Sequence, residues 1–354
     1  MIADVVAEEG PVPFERFMEL ALYGEEGFFT TGKLRSDRTG DFMTSPEVSP
    51  LFGETISVYV RALHESCGDP FMVVEAGAGS GSLIKPLLAQ TGLDGMAVEV
   101  SPAAREKLGE ITGLSVLSDL TDLPSRFRGV VVANELLDNL PMAMAQRIDG
   151  VWRERWVGIV DGSLELVDAD ARSEVVDWLD RYVGEVPDGG WVEAQLEVGE
   201  WLAKISDRLT EGAILLIDYG DTAENLLPRR ADGTLRTYRA HHLGPHPLDE
   251  PGATDITADV NFTAAERIAG ELGFESALWR QDDFLTALGL RDRLSLMRRE
   301  ELALAGKDEM ERMVLRTRRT EVEALLHPRG LGDFRVLELT RAVPSPLGDH
   351  NAIL

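Results

Sequence analysis

The sequence predicts an α/β protein whose doubly wound, mainly parallel sheet carries helices on both faces. From Phe71 onward, short apolar runs alternate with segments of helical periodicity, which is typical of parallel strands joined by right-handed crossovers. A glycine-rich turn, Gly77-Ala-Gly79-Ser-Gly81, follows the first of these strands and precedes a helix. The 354 residues are 44% hydrophobic, which suffices for a large core with insertions or a smaller second domain.

Apolar periodicity and turn residues place the elements of this region. The predicted strands are 71–75, 96–99, 114–117, 130–133 and 213–218, with an antiparallel edge pair at 274–279 and 334–339. The predicted helices are 82–90, a helix from Pro102, 196–209, 263–272, 282–288 and 294–326. The last of these either caps the sheet or supports a homodimer.

Two regions depart from the alternation. Residues 1–66 form a predicted N-terminal segment with helices at 14–23 and from Pro46 to about His64. Residues 67–354 form the main domain, with a long polar loop at 219–260 and an insertion at 142–190. Within the insertion, Asp149-Gly150 and Asp161-Gly162 predict antiparallel hairpins, and a helix follows near 174–183.

The charge balance limits the partners. The chain has 35 basic and 62 acidic residues, for a net charge of −27. Such a surface repels phosphate backbones and anionic lipid, so we expect neither nucleic acid nor a membrane as a partner. It attracts cationic groups, such as an arginine-bearing protein segment or a sulfonium, although an acidic surface can also serve solubility alone.

Cysteine content and the N-terminus indicate the compartment. Cys67 is the only cysteine, so we expect neither a disulfide nor a cysteine-based metal site, and a reducing compartment fits. The first residues are acidic where a targeting peptide would be basic, and the apolar runs are too short to span a bilayer. We expect a cytoplasmic protein.

The glycine turn predicts an adenosyl ligand. Gly77 permits a tight turn, and glycines at 79 and 81 let the backbone approach a ligand closely. A dinucleotide fingerprint needs glycine where Ser82 stands, which argues against an NAD dehydrogenase. Three acidic residues are further candidates for binding the cofactor. Glu75 ends the first strand, Glu99 has the spacing of a ribose-binding acid, and Asp119 could receive the adenine amino group.

These features together favour S-adenosyl-L-methionine, which places no pyrophosphate at the helix N-terminus. The structural alternative is a plain glycine turn beside a surface glutamate.

The fourth strand ends in Asn134-Glu135-Leu-Leu-Asp138. Ligands of open parallel sheets lie beyond the carboxyl ends of the strands, so Asn134, Glu135 and Asp138 are candidate catalytic residues. Two carboxylates can hold a guanidinium through charge-assisted hydrogen bonds. The alternative is that Asn134 caps a helix and Asp138 is solvated.

The order of these motifs resembles the MidA-like methyltransferase family. The resemblance covers nearly the whole chain and rests on the following segments of the sequence: Gly40-Asp-Phe-Met-Thr-Ser-Pro-Glu47, 75–81, Val98-Glu-Val-Ser-Pro102, Ala133–Pro141, Leu216-Ile-Asp-Tyr-Gly220, Gly233-Thr-Leu-Arg236 and Asp255-Ile-Thr257. The family often has a different glycine turn, and it commonly has histidine where Asp259 stands, which leaves any acid/base role of that loop open.

The resemblance implies a seven-stranded Rossmann-like methyltransferase fold and methylation of arginine ω-nitrogens in a protein. It also implies that Gly40, Asp41, Phe42 and Thr44 of the N-terminal segment cover the cofactor, unless they form only a turn and helix cap. Its mitochondrial members assist the assembly of respiratory complex I.

Candidate substrate-binding residues come from the loop motifs and the loop histidines: Asp218, Tyr219, His241, His242 and Asp255. The histidines could relay a proton or be surface residues. Two other functions stay open, namely methylation of a small molecule at oxygen or nitrogen and an assembly chaperone that binds the cofactor without turnover. A closed apolar pocket would favour the first.

Overall fold

The computed structural model describes residues 2–31, 44–226, 231–239 and 242–348. In these residues the helices are α1 (Ile2–Glu9), α2 (Phe14–Tyr23), α3 (Ser45–Val48), α4 (Leu51–Cys67), α5 (Ile84–Thr91), α6 (Pro102–Leu108), α7 (Ser173–Tyr182), α8 (Leu196–Ser206), α9 (Ala223–Leu226), α10 (Phe262–Glu271), α11 (Gln281–Ala287), α12 (Leu290–Ala303) and α13 (Glu309–Leu325).

The strands of the same residues are β1 (Val12–Pro13), β2 (Met72–Ala76), β3 (Gly95–Val98), β4 (Leu114–Leu117), β5 (Phe127–Asn134), β6 (Ala143–Ile148), β7 (Val151–Val160), β8 (Ser163–Asp170), β9 (Trp191–Ala194), β10 (Leu209–Asp218), β11 (Gly220–Asp221), β12 (Arg236–Arg239), β13 (His242–Leu243), β14 (Asp255–Thr257), β15 (Val260–Asn261), β16 (Glu275–Arg280) and β17 (Arg335–Arg341).

The central sheet has seven strands in the order β16-β17-β10-β5-β2-β3-β4. Its strands β2, β3, β4, β5 and β10 are mutually parallel, whereas β17 runs antiparallel to both β10 and β16. The doubly wound sheet and its antiparallel edge pair are therefore confirmed. Because β3 and β5 lie on opposite sides of β2, the chain reverses its winding there, and a crevice opens beyond the carboxyl ends of β2 and β5.

The core has one layer on each face of this sheet. Alternate residues of one strand point to opposite faces, so Val130 packs with α4 and α5 while Val131 packs with α8 and α10. Both faces are covered, which explains why these strands are continuous apolar runs in the sequence.

A second sheet contains the predicted insertion. Strand β7 pairs antiparallel with β1, β6 and β8, and β6 also pairs with β9. Asp149 and Gly150 have φ of +50° and +76°, as a two-residue turn of the type I′ class requires. Both predicted hairpins are confirmed.

The N-terminal helices belong to two different layers. Helices α1 and α2 pack in an apolar cluster with residues of the second sheet, whereas α4 packs on the central sheet. The division into a segment 1–66 and a domain 67–354 stays a prediction.

Two helices and one loop were expected to be uninterrupted, and all three predictions are wrong. The helix from Pro46 is interrupted at Ser49, which has an extended conformation because proline follows it. The stretch 294–326 is a hairpin of α12 and α13, which turns at Gly306 (φ +73°) and is closed by an Arg319–Glu301 ion pair of 2.8 Å. The loop 219–260 contains β11 to β15.

None of the described helices combines the length and the apolar character needed to cross a bilayer. The cytoplasmic location stays a prediction.

Candidate functional site

A cavity of about 550 Å³ opens beyond the carboxyl ends of β2 and β5. Its walls come from α2, the glycine turn, the end of β3, the turn after β5, the strands of 219–260 and the loop before β17. Of the predicted site residues, the cavity is lined by Thr44, Glu75, Gly77, Gly79, Glu99, Asn134, Glu135, Asp138, Tyr219 and Asp255. The fold thus brings together residues that are up to about 200 positions apart in the chain.

Glu99 fastens the glycine turn to the end of β3. Its Oε2 accepts a hydrogen bond from Gly79 N at 2.8 Å, and its Oε1 accepts one from Ser101 N at 2.7 Å. Burial raises the pKa of this carboxyl, while the two backbone N–H groups lower it. A carboxylate has about four acceptor sites, so its oxygens retain capacity for hydroxyl donors such as those of a ribose.

Gly81 does not line the cavity, and its role in cofactor binding stays a prediction. Its φ is +80°, and a Cβ there would lie 2.8 Å from Ile111 Cδ1 and 3.0 Å from Leu108 Cδ2. Glycine suits the positive φ of this position, and its missing Cβ leaves room for the Leu108 and Ile111 side chains on the turn.

Three buried acceptor atoms in the cavity wall make no hydrogen bond within the described protein. They are Oε2 of Glu75, which is only 3% exposed, Oδ1 of Asn134 and Oδ1 of Asp138. Burial raises the pKa of Glu75 well above its usual range. Because unsatisfied buried acceptors are costly, these atoms fit a ligand with donor groups, and the ammonium and hydroxyl groups of an adenosyl amino acid meet that need.

Glu135 lies where β5 ends, in an unusual conformation. Its φ is +50°, and its N–H donates to Ile217 O of the neighbouring strand at 2.8 Å. A non-glycine residue with positive φ at a strand end is held there by its surroundings and often marks a functional site. Burial and the nearby Asp138 carboxyl raise the pKa of Glu135 to about 8, although Asn134 and the Ser45 N–H donate to it and oppose this shift.

Asp138 lies in the short turn after β5, with one oxygen bound and the other free. Its Oδ2 accepts hydrogen bonds from Tyr219 Oη and, at 2.7 Å, from Thr257 Oγ1. Its Oδ1 has no partner within the described protein. Burial raises the pKa of Asp138, and the two hydroxyl donors lower it. The arrangement leaves Oδ1 available to a donor in the cavity.

Asp218, predicted to bind substrate, is buried and does not line the cavity. Its Oδ2 accepts from the N–H groups of Leu137 at 3.0 Å and Asp138 at 3.3 Å, and its Oδ1 accepts from Tyr219 N at 2.9 Å. Asp218 thus positions the turn that presents Asp138. Its backbone partners explain its burial, and desolvation raises its pKa well above the usual range.

The remaining predicted residues have mixed outcomes. Asp255 lines the cavity and accepts from Asn139 Nδ2 at 2.9 Å. His242 is exposed in β13 and does not line the cavity, because its strand lies at the outer edge of a three-stranded sheet. The predictions for His241 and for Gly40, Asp41 and Phe42 lie outside the described residues.

Asp119 is exposed and is not part of the cavity wall. Its Oδ1 accepts from Thr121 N at 2.7 Å and from Thr121 Oγ1 at 2.6 Å, so it caps a short helical turn. Its role in adenine binding stays a prediction.

The sequence alone did not predict that α2 forms part of the cavity wall. Tyr23 lines the cavity, stacks on Phe29 with ring centroids 5.6 Å apart, and donates its hydroxyl to Asn139 O at 3.1 Å. Burial raises the pKa of Tyr23. The only sequence signal was that an aromatic residue ends a helix just before the Gly- and Thr-rich loop.

Asp259 makes an ion pair in the cavity wall. The family that the sequence resembles commonly has histidine at this position. Asp259 accepts a hydrogen bond from Arg236 Nη1 at 2.7 Å, and both residues line the cavity. Arg236 belongs to the Gly-Thr-Leu-Arg segment, whose Thr234 N–H and hydroxyl both donate to the buried Glu193 at about 3.0 Å and 2.9 Å. The buried Glu193 therefore holds the segment that carries Arg236 in the cavity wall, a contact that the sequence alone did not predict.

The cavity wall is strongly acidic. Eight carboxyl-bearing residues line it: Glu75, Glu99, Glu135, Asp138, Asp221, Asp255, Asp259 and Asp333. Three arginines do so, and two of them, Arg236 and Arg335, are each paired with an aspartate of the wall. The arrangement favours cationic ligands. In the described residues, no group of three or more histidine, cysteine, aspartate or glutamate side chains could hold a metal ion.

Comparisons with known proteins agree with this geometry. A model of the S-adenosyl-L-methionine-dependent methyltransferase family matches residues 52–278. The crystal structure of a Burkholderia thailandensis protein bound to S-adenosyl-homocysteine has a TM-score of 0.85, with 28% identity over 99% of this chain and 95% of that one.

Two curated relatives match over most of their length. The protein arginine methyltransferase NDUFAF7 of Danio rerio is 27% identical over 84% of this chain and 77% of its own. Its homolog in Drosophila melanogaster is 27% identical over 76% and 69%, respectively. Both relatives are named as mitochondrial proteins.

Proposed function

Because this chain belongs to the S-adenosyl-L-methionine-dependent methyltransferase family, we propose that it methylates an arginine ω-nitrogen of a protein substrate. The cofactor is S-adenosyl-L-methionine, and its demethylated product occupies the similar Burkholderia thailandensis structure. The names of the curated relatives, which are about 27% identical to this chain, support arginine as the acceptor. A cytoplasmic location is part of the same proposal, since a single cysteine fits a reducing compartment.

The observation that carries the proposal is the pair of carboxyl groups after β5. Glu135 and Asp138 both line the cavity, and desolvation raises the pKa of both carboxyl groups. A buried negative charge is costly unless a cation accompanies it. A guanidinium offers that positive charge together with several N–H donors in a fixed plane.

The cofactor supplies an electrophilic methyl group next to a positive sulfur. Residues of this chain bind and orient its polar groups, with Glu99 toward hydroxyl donors and Glu75 and Asn134 toward further donors. Holding the acceptor nitrogen in line with the methyl carbon contributes on the order of 7–11 kcal/mol to lowering the barrier.

The acceptor itself needs help from the protein, because a protonated guanidinium is a poor nucleophile. Asp138 Oδ1 and the Glu135 carboxylate would accept N–H donors and draw the positive charge away from the attacking nitrogen. With a pKa of about 8 in the free protein, Glu135 can also take the proton that the methylated nitrogen releases.

The test uses Glu135→Gln and Asp138→Asn, which keep the shape of each side chain and remove its charge. Purified variants and the unchanged protein are incubated with labelled methyl donor and a lysate of cells that lack this protein, and mass spectrometry identifies the modified residue. We expect methylarginine, and a loss of about 10²- to 10⁴-fold in each variant with unchanged cofactor affinity by calorimetry.

Glu106→Gln, at an exposed position of α6, is the matched control and should retain full activity. Label on a small molecule or on a residue other than arginine would overturn the arginine assignment. Cofactor binding without transfer to any fraction would overturn the enzymatic proposal as a whole.

A further inference from the structure

Helix α13 presents an apolar stripe to solvent. Met310, Met313 and Val314 are 70%, 58% and 49% exposed, whereas Val322 of the same helix is fully buried. The three side chains lie at i, i+3 and i+4 and therefore share one face. Apolar surface concentrated on one helix face is a feature of contact sites between proteins.

The charge around this stripe differs from that of the rest of the protein. Residues 290–325 have nine basic and eight acidic side chains, a balance of +1, while the whole chain has a net charge of −27. Two copies of so acidic a protein repel each other over most of their surface. The α12–α13 hairpin is a region where that repulsion is locally absent.

Two charged side chains beside the stripe lack ion-pair partners. Within the described residues, neither the Glu311 carboxylate nor the Arg318 guanidinium makes an ion pair or a hydrogen bond. They lie seven residues apart, which is about two helical turns, so they flank the same side of the stripe. Their opposite charges suit a partner that presents the same pattern in the reverse direction.

We propose that α13 is the interface of a homodimer, in which α13 of one copy packs antiparallel on α13 of a second copy. A two-fold axis that passes between Met313 and Val314 places each apolar stripe against the other. Glu311 and Arg318 lie about 2.5 and about 4.5 residues from this axis, so Glu311 of each copy is offset from Arg318 of the other by about 3 Å along the helix. The two long side chains span that offset on both sides of the axis, as an isologous contact requires.

The size of the helix predicts a weak dimer. Seventeen residues give a helix of about 25 Å, and a single pair of such helices buries less area than a stable interface commonly does. We therefore expect a monomer–dimer equilibrium that depends on protein concentration. The α13 face lies outside the cavity wall described above, so the dimer should assemble with or without cofactor.

Sedimentation equilibrium of the full chain over a range of concentrations tests the interface. We expect a reversible dimer, and we expect Met313→Glu to raise its dissociation constant at least tenfold, because the substitution buries two carboxylates against each other. Val151→Glu changes an equally exposed side chain, 60% accessible in a hairpin of the second sheet, and should leave the dimer intact. Thermal unfolding checks that both variants remain folded.

A charge exchange tests the antiparallel register. Glu311→Arg and Arg318→Glu should each weaken the dimer, because like charges then face each other, and the double variant should restore it. A protein that stays monomeric at every concentration would overturn the proposal and leave the α13 face to a different partner. A dimer that Met313→Glu does not weaken would overturn it as well.

Discussion

The hydroxyl of Thr257 lies 2.7 Å from Oδ2 of Asp138, and Tyr219 Oη donates to the same oxygen. Two hydroxyl groups, one from the residue that follows β10 and one from β14, thus fix one side of a buried carboxyl, whose other oxygen, Oδ1, has no partner in the described protein. The Asp-Tyr-Gly and Asp-Ile-Thr segments therefore act on the same side chain, although Tyr219 and Thr257 are 38 positions apart in the chain.

We first predict that Tyr219→Phe lowers kcat by about 10- to 100-fold, the cost of removing a hydrogen bond to a charged group. Hydrogen bonds to the carboxylate lower the pKa of Asp138, so their loss raises it. The acidic limb of the kcat profile, in which the bound guanidinium keeps Glu135 ionised, should then move to higher pH, a change that mere loss of packing would not cause. Tyr238→Phe, also in the cavity wall, should leave the limb in place.

The second prediction concerns the pH dependence of the reaction. The pKa of Glu135 is about 8 in the free protein, so kcat/KM should rise as pH increases through that value. A bound guanidinium stabilises the carboxylate and lowers its pKa, so kcat should rise at lower pH than kcat/KM. Steady-state rates from pH 6 to pH 10 measure both. Coincident profiles would mean that no cation lies beside Glu135 in the complex.

The same pKa shift predicts how stability changes with pH. The pKa of Glu135 in the folded protein exceeds its unfolded value of 4.5, so the folded state holds a proton that the unfolded state releases. The contribution to stability is complete below pH 4.5 and is lost as pH rises through about 8. Glu135→Gln removes this loss.

We therefore expect Glu135→Gln to raise the thermal midpoint relative to the unchanged protein at pH 9 and to change it less at pH 5. Calorimetric unfolding at both values measures this. An equal change of the thermal midpoint at pH 5 and pH 9 would show that Glu135 does not titrate in this range.

The central sheet could be predicted because parallel strands buried on both faces are continuous apolar runs, as in 130–133 and 213–218. Glu99 and Asp138 could be placed at the cavity for the same reason, since each follows such a strand. Contacts between distant segments could not be predicted. Tyr23 reaches Asn139 from 116 positions away, and Arg236 pairs with Asp259, because the path of the chain alone brings these side chains together.

Cofactor affinity should depend on Glu99 and not on Asp119. Glu99→Gln replaces one acceptor oxygen with an amide that faces the N–H of Gly79 or Ser101, so the glycine turn loosens and hydroxyl binding weakens. We expect the affinity for S-adenosyl-homocysteine to fall at least tenfold, about 1.4 kcal/mol. Asp119→Asn changes an exposed cap and should alter affinity little. A large loss from Asp119→Asn would restore the predicted adenine contact.

Our last prediction compares two glycines with almost the same backbone conformation. Gly233 and Gly162 have φ of +82° and +86°, but a Cβ at Gly233 would clash with Glu193 Oε1, whereas one at Gly162 meets nothing within 4 Å. Both alanine variants suffer the strain of a positive φ, about 1 kcal/mol. Only Gly233→Ala should also displace the carboxylate that holds Thr234.

Urea unfolding should therefore show a larger loss of stability for Gly233→Ala, by a further 1–3 kcal/mol or about the cost of an unsatisfied buried group. Because Thr234 precedes Arg236 by two residues, the variant should also reduce methyl transfer, while Gly162→Ala should not. Equal unfolding free energies in the two variants would show that Glu193 can move aside, and that the Gly-Thr-Leu-Arg segment does not depend on this carboxylate for its position.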